Sequence, residues 1–265
     1  MNIYRFEFKK YIKSNFIWTI SIIIVLFFFM ALFPTYSQEA EQMEKLISQF
    51  PETFAKAFGL SDMNMSTIMG YYGFAFSYIL LIGAIFAMRL GLDIISKESR
   101  DKTSDFLLVK PLKRVDILSP KILAALTHIL IMNILFFAFA LIAVEAFKKA
   151  EYNFTDFTLL TLSFLFVQLF LFALGILIGT IVNKLKSVLP VTLGVVFGFY
   201  VLYLFNQTID DEIYSYLSPF GFFERGYITE HSAYSIPHLI TSIVITIIFI
   251  IASYVIYKKK DIPSV

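Results

Sequence analysis

Long apolar runs alternate with shorter polar stretches along the chain, and the runs exceed what an aqueous core helix needs. Six stretches are predominantly apolar: residues 16–33, 71–95, 122–144, 157–182, 188–205 and 237–257. A bilayer core about 30 Å thick takes about 20 apolar helical residues per crossing. Each run is of that order, and none alternates in polarity as a membrane β-strand does. The pattern predicts an all-α membrane protein with six transmembrane helices. The first run is too long for a secretory leader's apolar core, and Pro34-Thr35-Tyr36 offers no small-residue cleavage pattern. It reads as a signal anchor. No internal repeat divides the spans, so residues 1–265 read as one transmembrane domain.

The polar stretches have patterns of their own. In MNIYRFEFKKYIK, residues 1–13, a helix puts Tyr4, Phe8, Tyr11 and Ile12 on one face and Arg5, Lys9 and Lys13 on another. This predicts an amphipathic interfacial helix ahead of the first span. Residues 38–58 place Met43, Leu46, Ile47 and Phe50 at helical spacing. Pro51 then opens a second short helix bearing Phe54 and Phe58, with Gly59 at its end. Residues 206–236 contain the aromatic, turn-rich YLSPFGFFERG. Helices that enter the membrane part-way and return suit that segment where protein buries their backbone.

Composition sharpens the class. The chain is 58% hydrophobic and 16% charged, with a mean hydropathy of +0.76, outside soluble globular usage. Six spans put both termini on one side. That side carries sixteen Lys/Arg, the opposite side five, and Arg89 lies within the second span. By the positive-inside rule both termini are cytoplasmic. The net charge of +2 is then the sum of a basic inner and an acidic outer face and suggests no nucleic-acid partner. Cysteine is absent, which excludes disulfides and cysteine metal sites.

Catalytic chemistry is hard to place. No G-x-x-x-x-G-K-[ST] stretch exists to cradle a nucleotide, and no cytoplasmic segment is long enough for a nucleotide-binding domain. The histidines are His128, His231 and His238, and no H-E-x-x-H pattern accompanies them, so no catalytic or metal site is assigned. Arg89 and Asp93, four apart near the inner end of the second span, meet on one helical face. They read either as a charged element at an inner gate or as a pair that fixes helix depth. Asn133 and Gln168 read as interhelical hydrogen-bond partners. Two G-x-x-x-G patterns, Gly175/Gly179 and Gly194/Gly198, suit close helix approach, within one subunit or between two.

Residues 96–121, SKESRDKTSDFLLVKPLKRVDILSPK, hold seven Lys/Arg and four Asp/Glu around the apolar block 106–109. A helix from about Ser99 to Val109 would end near Pro111. An apolar centre with a charged rim is the anatomy of a protein-docking patch, and equally of an amphipathic segment on the inner leaflet.

The arrangement S-K-E-x-x-x-K-T-x-x-F-L-L-x-K-P-x-x-R-x-x-I-L-x-x-K from Ser96 to Lys121 resembles the first cytoplasmic loop of ABC-2-type exporter permeases. FPETFAKAFGL at 50–60, YYGF at 71–74 and LSPF at 217–220 extend the resemblance over essentially the whole chain. The resemblance implies a non-enzymatic membrane subunit of a bacterial ABC exporter in the inner or plasma membrane. Two copies, as a homodimer or with a related permease, pair with two separate ATPase subunits. ATP and Mg are bound by that partner, and this chain carries no cofactor. It also implies that Glu98 to Val109 form a coupling helix in a cleft of the ATPase. The contact residues would be Glu98, Arg100, Lys102, Thr103, Asp105, Phe106, Leu107, Pro111 and Arg114, with Asn183 to Ser187 as a second contact. The fifth span lies at the family's dimer interface, which directs attention to Gly194 and Gly198. No substrate-binding residue follows from the motif. An amphipathic cargo such as a peptide, an antimicrobial or a drug suits the short external portion and aromatic spans. The alternatives are a membrane anchor or sensor that recruits a cytosolic partner, and a self-contained secondary carrier. Membrane lipid is the remaining partner.

Overall fold

The computed structural model describes residues 3–58, 60, 64–100, 114–182, 185–209 and 212–259. Nine α-helices and two 3-10 turns are found among the described residues. They are α1 (Ile3–Gln38), α2 (Ala40–Ile47), α3 (Glu52–Ala57), α4 (Ile68–Arg100), α5 (Arg114–Phe147), α6 (Phe154–Ile181), α7 (Val188–Asn206), α8 (Arg225–His231) and α9 (Ile236–Lys259). The 3-10 turns, Glu212–Leu217 and Gly221–Phe223, lie between α7 and α8. Six helices, α1, α4, α5, α6, α7 and α9, are long and apolar enough to cross a membrane. The all-α, six-span expectation holds. The bundle has a basic end, where α1 starts and α9 finishes, and a far end, where α1 finishes and α9 starts.

The spans outgrow their apolar runs. α1 is 36 residues long, about 54 Å at 1.5 Å per residue, against a hydrocarbon core of about 30 Å. Its first turns correct one expectation: residues 3–13 are helical, but they continue without a break into the first span. The faces are as patterned, with Arg5, Lys9 and Lys13 exposed and Tyr11 buried, while Ile12 is exposed. The aromatic face is spent on protein. Phe8 stacks on His128 at 4.6 Å, and the Tyr4 and Thr127 hydroxyls share a 3.1 Å hydrogen bond. The buried stripe of α1 runs Glu7, Tyr11, Asn15, Thr19, Ile22, Leu26, Met30, Phe33. It is polar at the basic end and apolar beyond.

α4 and α6 are the central pair, and small residues set their spacing. A Cβ on Gly91 would lie 2.3 Å from the Phe172 carbonyl oxygen, and one on Gly175 would lie 2.6 Å from that of Met88. Backbones that close leave no room for side chains, the reason small residues recur at helix contacts in lipid. Polar bonds pin this seam and the neighbouring contact of α5 with α6. Tyr72 O–H donates to Thr161 at 2.8 Å, Asn133 donates to Gln168 at 2.7 Å, and Gln168 Nε2 donates to the Gly83 carbonyl at 3.2 Å. Each such bond contributes about 0.6 kcal/mol in membrane proteins, so they fix register more than they add stability.

At the far end, α2 and α3 form as patterned, with Pro51 at the N-cap of α3 and the Phe50, Phe54 and Phe58 rings in a row at 5.3 and 4.7 Å. Gly59 lies outside the described residues. The segment after α7 turns back into the bundle, as its aromatic content suggests. Ser218, Pro219, Phe220, Gly221, Phe222, Phe223 and Arg225 are buried. Phe222 meets Phe170 edge-on at 5.8 Å and Phe223 stacks on Phe166 at 5.3 Å, both on α6. Ser218 O–H donates to the Phe199 carbonyl of α7 at 2.8 Å. His238, at the start of α9, fastens the segment. It shares hydrogen bonds with Ser215 (2.5 Å) and Ser235 (2.8 Å) and stacks on Tyr216 at 4.1 Å.

Candidate functional site: the basic end of the bundle

The charge-dense stretch begins as the last turns of α4 and finishes as the first turns of α5. Lys102, Thr103, Asp105, Phe106, Leu107 and Pro111 lie outside the described residues, as does the side chain of Glu98. Ser99 and Arg100, expected to open a separate helix, instead extend α4 without interruption. Lys184, in the expected second contact, also lies outside, as does Asn183. Ser187 is the extended N-cap residue of α7 and makes no side-chain capping bond.

The two described flanks are anchored. Arg100 pairs with Asp93, one of its nitrogens 2.8 Å from Oδ1, and Tyr11 O–H donates to the other carboxylate oxygen at 2.7 Å. Arg114 Nη1 donates to the Tyr257 carbonyl of α9 at 3.2 Å, and Ser119 bonds Tyr254 of the same helix at 2.9 Å. Arg89 faces Asp93 across a small crevice with Tyr11 and Ser14, and its charge acts on that carboxylate without a direct ion pair. The sequence thus placed Arg89 and Asp93 correctly on one face, but the direct partner of Asp93 is Arg100.

More fully buried is a pair that the sequence pattern did not single out. Glu7 of α1 and Lys97 of α4 form a salt bridge with both side chains 3% exposed. Lys121 of α5, 2% exposed, donates to the Ile94 carbonyl at 3.2 Å. His128 Nε2–H donates to the Phe8 carbonyl at 3.0 Å, which makes Nδ1 the acceptor nitrogen. α1, α4, α5 and α9 are therefore held by polar bonds at the point where the chain leaves for residues 101–113. The signal for Glu7 was available: it falls between Tyr4, Phe8 and Tyr11, so any helix that buries those rings buries the carboxylate.

The two glycine pairs separate cleanly. Gly175 and Gly179 are spent inside the subunit, the latter with Ile95 Cβ 3.2 Å from where an added methyl would sit. Around Gly194 and Gly198 nothing lies within 4 Å of an added Cβ, and Phe197, Val201, Leu202 and Phe205 on α7 are exposed. Among the described residues no cluster of His, Asp or Glu is arranged to hold a metal ion. At the far end a cavity of about 490 Å³ lies among α7, the 3-10 turns, α8 and the start of α9, walled partly by Phe222, Phe223, Tyr227 and His238.

A family model described as "ABC-2 family transporter protein" matches residues 1–262, nearly the whole chain. A comparison with curated proteins gives no match.

Proposed function

We propose, from the premise that this chain belongs to the ABC-2 transporter family, that it is the permease of an ATP-driven exporter worked by a separate ATPase. The family match over residues 1–262 carries this reading. The sequence adds that the chain has no phosphate-cradling motif of its own, so hydrolysis belongs to a partner. With both termini cytoplasmic, the basic end faces the ATPase. Residues 98–114 are then the docking element, built around Phe106 and Leu107 with Glu98, Arg100, Lys102, Thr103, Asp105, Pro111 and Arg114 at its rim.

The anchoring of both flanks supports that assignment, because a docking element transmits force only where its ends are held. The open face of α7 at Gly194 and Gly198 suits a second permease copy. ATP-driven closure of the motor pair would bias the permease dimer between two packings. The cargo is an amphipathic peptide, antimicrobial or drug, in keeping with the aromatic lining of the bundle and its far-end cavity.

The test is co-purification in mild detergent of the native chain and of Phe106→Asp. An ATPase subunit retained by the first and lost by the second, at equal permease abundance, supports the coupling assignment. A native chain that brings down no ATPase under complex-preserving conditions removes the exporter reading and leaves the anchor or the secondary carrier.

A further inference from the structure

The outer face of α1 changes character along its length without leaving one stripe. Arg5, Lys9 and Lys13 occupy it first, and Phe16, Ile20 and Ile24 continue it, all six exposed. Steps of three and four residues keep successive members on one side of a helix. α1 is unbroken from Ile3 to Gln38 and is one of the six helices long and apolar enough to cross a membrane. On such a span an exposed apolar stripe is solvated by acyl chains, and here that stripe runs straight into three cations.

No acid shares this face. Glu7 is the one acidic residue in residues 1–38, and it is turned to the other side, buried against Lys97 of α4. Among the described residues Arg5, Lys9 and Lys13 make no ion pair and no hydrogen bond. Phe6 and Ile12, both exposed, border the cations on either side. Along the helix axis Lys13, Lys9 and Arg5 lie about 5, 11 and 17 Å before Phe16, where the apolar run begins. The headgroup layer is about 5–8 Å thick on each side of the hydrocarbon core. Lys13 falls within it, and flexible stems bring the other two charged heads back toward it.

We propose that Arg5, Lys9 and Lys13 form a binding surface for the anionic phospholipid headgroups of the leaflet at the basic end. The Arg5 guanidinium takes a phosphate with two parallel N–H donors, and the two ammonium groups add point charges. Phe6 and Ile12 give the glycerol region an apolar contact. A protein on the cytoplasmic side could reach the cations but not Phe16, Ile20 and Ile24, and the continuity of the stripe therefore favours lipid. The inner side of the same turns holds Lys97 through Glu7 and Asp93 through Tyr11. A headgroup held outside steadies the turns on which those bonds depend, so lipid binding registers as stability. None of this rests on the export reading.

The purified chain in neutral detergent is titrated with dioleoyl-phosphatidylglycerol and, for comparison, with dioleoyl-phosphatidylcholine. Bound lipids are counted by native mass spectrometry, and the unfolding temperature is read alongside. The native chain is expected to bind the anionic lipid at least about tenfold more tightly and to be stabilised by it, since each cation near an anionic surface contributes about fivefold. Arg5→Gln, Lys9→Gln and Lys13→Gln combined are expected to abolish both the preference and the stabilisation, with the lipid-free unfolding temperature unchanged. Thirteen Lys/Arg remain on that side against five, so insertion is not at issue. Lys258→Gln with Lys259→Gln removes two exposed cations from the end of α9 on the same side and is expected to leave the preference intact. Equal loss in the two variants reduces the effect to bulk charge and overturns the site, as does a native chain that binds both lipids alike. A triple variant that keeps its lipid preference but no longer brings down an ATPase assigns the stripe to the motor, which also overturns it. The lipid titrations contain no ATPase, so their failure and a failed co-purification remain separate results.

Discussion

Glu7 and Lys97 illustrate how much depends on single side chains in this bundle. A buried ion pair adds little over a well-packed apolar pair, yet removing Lys97 strands the Glu7 carboxylate at about 3–5 kcal/mol. Glu7→Gln alone and Lys97→Met alone are expected to lower the unfolding temperature sharply, and the double variant to recover most of the loss. A double-mutant cycle in detergent measures this directly. Gly91 tests packing at the same scale. Gly91→Ala puts a methyl 2.3 Å from a main-chain oxygen that cannot step aside, so it is expected to cost about 1–3 kcal/mol by overpacking. Gly194→Ala, with open space around it, is expected to leave the isolated subunit as stable or slightly more so. The sequence showed Gly175 and Gly179 as a motif but not Gly91 of α4, which lies against Gly175, nor Gly83, which lies against Phe164. Gly83 and Gly91 stand two turns apart, and only the facing helix reveals why each must be small.

Among elements, α7 sets an exposed apolar face beside two uncovered glycines. Its exposed Phe197, Val201, Leu202 and Phe205 are accommodated by lipid or by a second copy. Gly194→Leu with Gly198→Leu is expected to shift the protein from dimer to monomer at unchanged subunit stability, as read by mass photometry. A dimer that persists through both substitutions would move the interface elsewhere. The helices themselves were legible because apolar length is set by the bilayer, a constraint that acts on every span alike. Their ends were not. Polar residues such as Glu7, Lys97 and Lys121 lie where α1, α4 and α5 run beyond the apolar runs, and they are held there by contacts with neighbouring helices that no single segment displays. That is also why residues 1–13 read as a helix resting on a leaflet: a Tyr-rich face suits lipid and protein equally until its partner is known.

For the whole molecule, the asymmetry of sixteen Lys/Arg against five predicts the orientation. The chain has no cysteine, so single-cysteine variants report cleanly. Lys45→Cys in the far-end helix α2 is expected to label in intact cells with an impermeant maleimide, and Lys9→Cys only after lysis. The reverse result would invert the bundle. The far-end cavity, by contrast, was not legible at all, because it arises where the buried Phe222 and Phe223 meet α8 and α9, elements scattered along the chain.

Among the described elements, α4 alone carries both the anchored charges at Asp93 and Arg100 and the Arg225 contact at Gly73. It runs 33 residues, about 50 Å, with no proline to bend it, and α6 grips it along its middle. On the proposed coupling reading, a thrust applied beyond Arg100 meets no proline kink before Gly73, so the two ends of α4 are expected to move together.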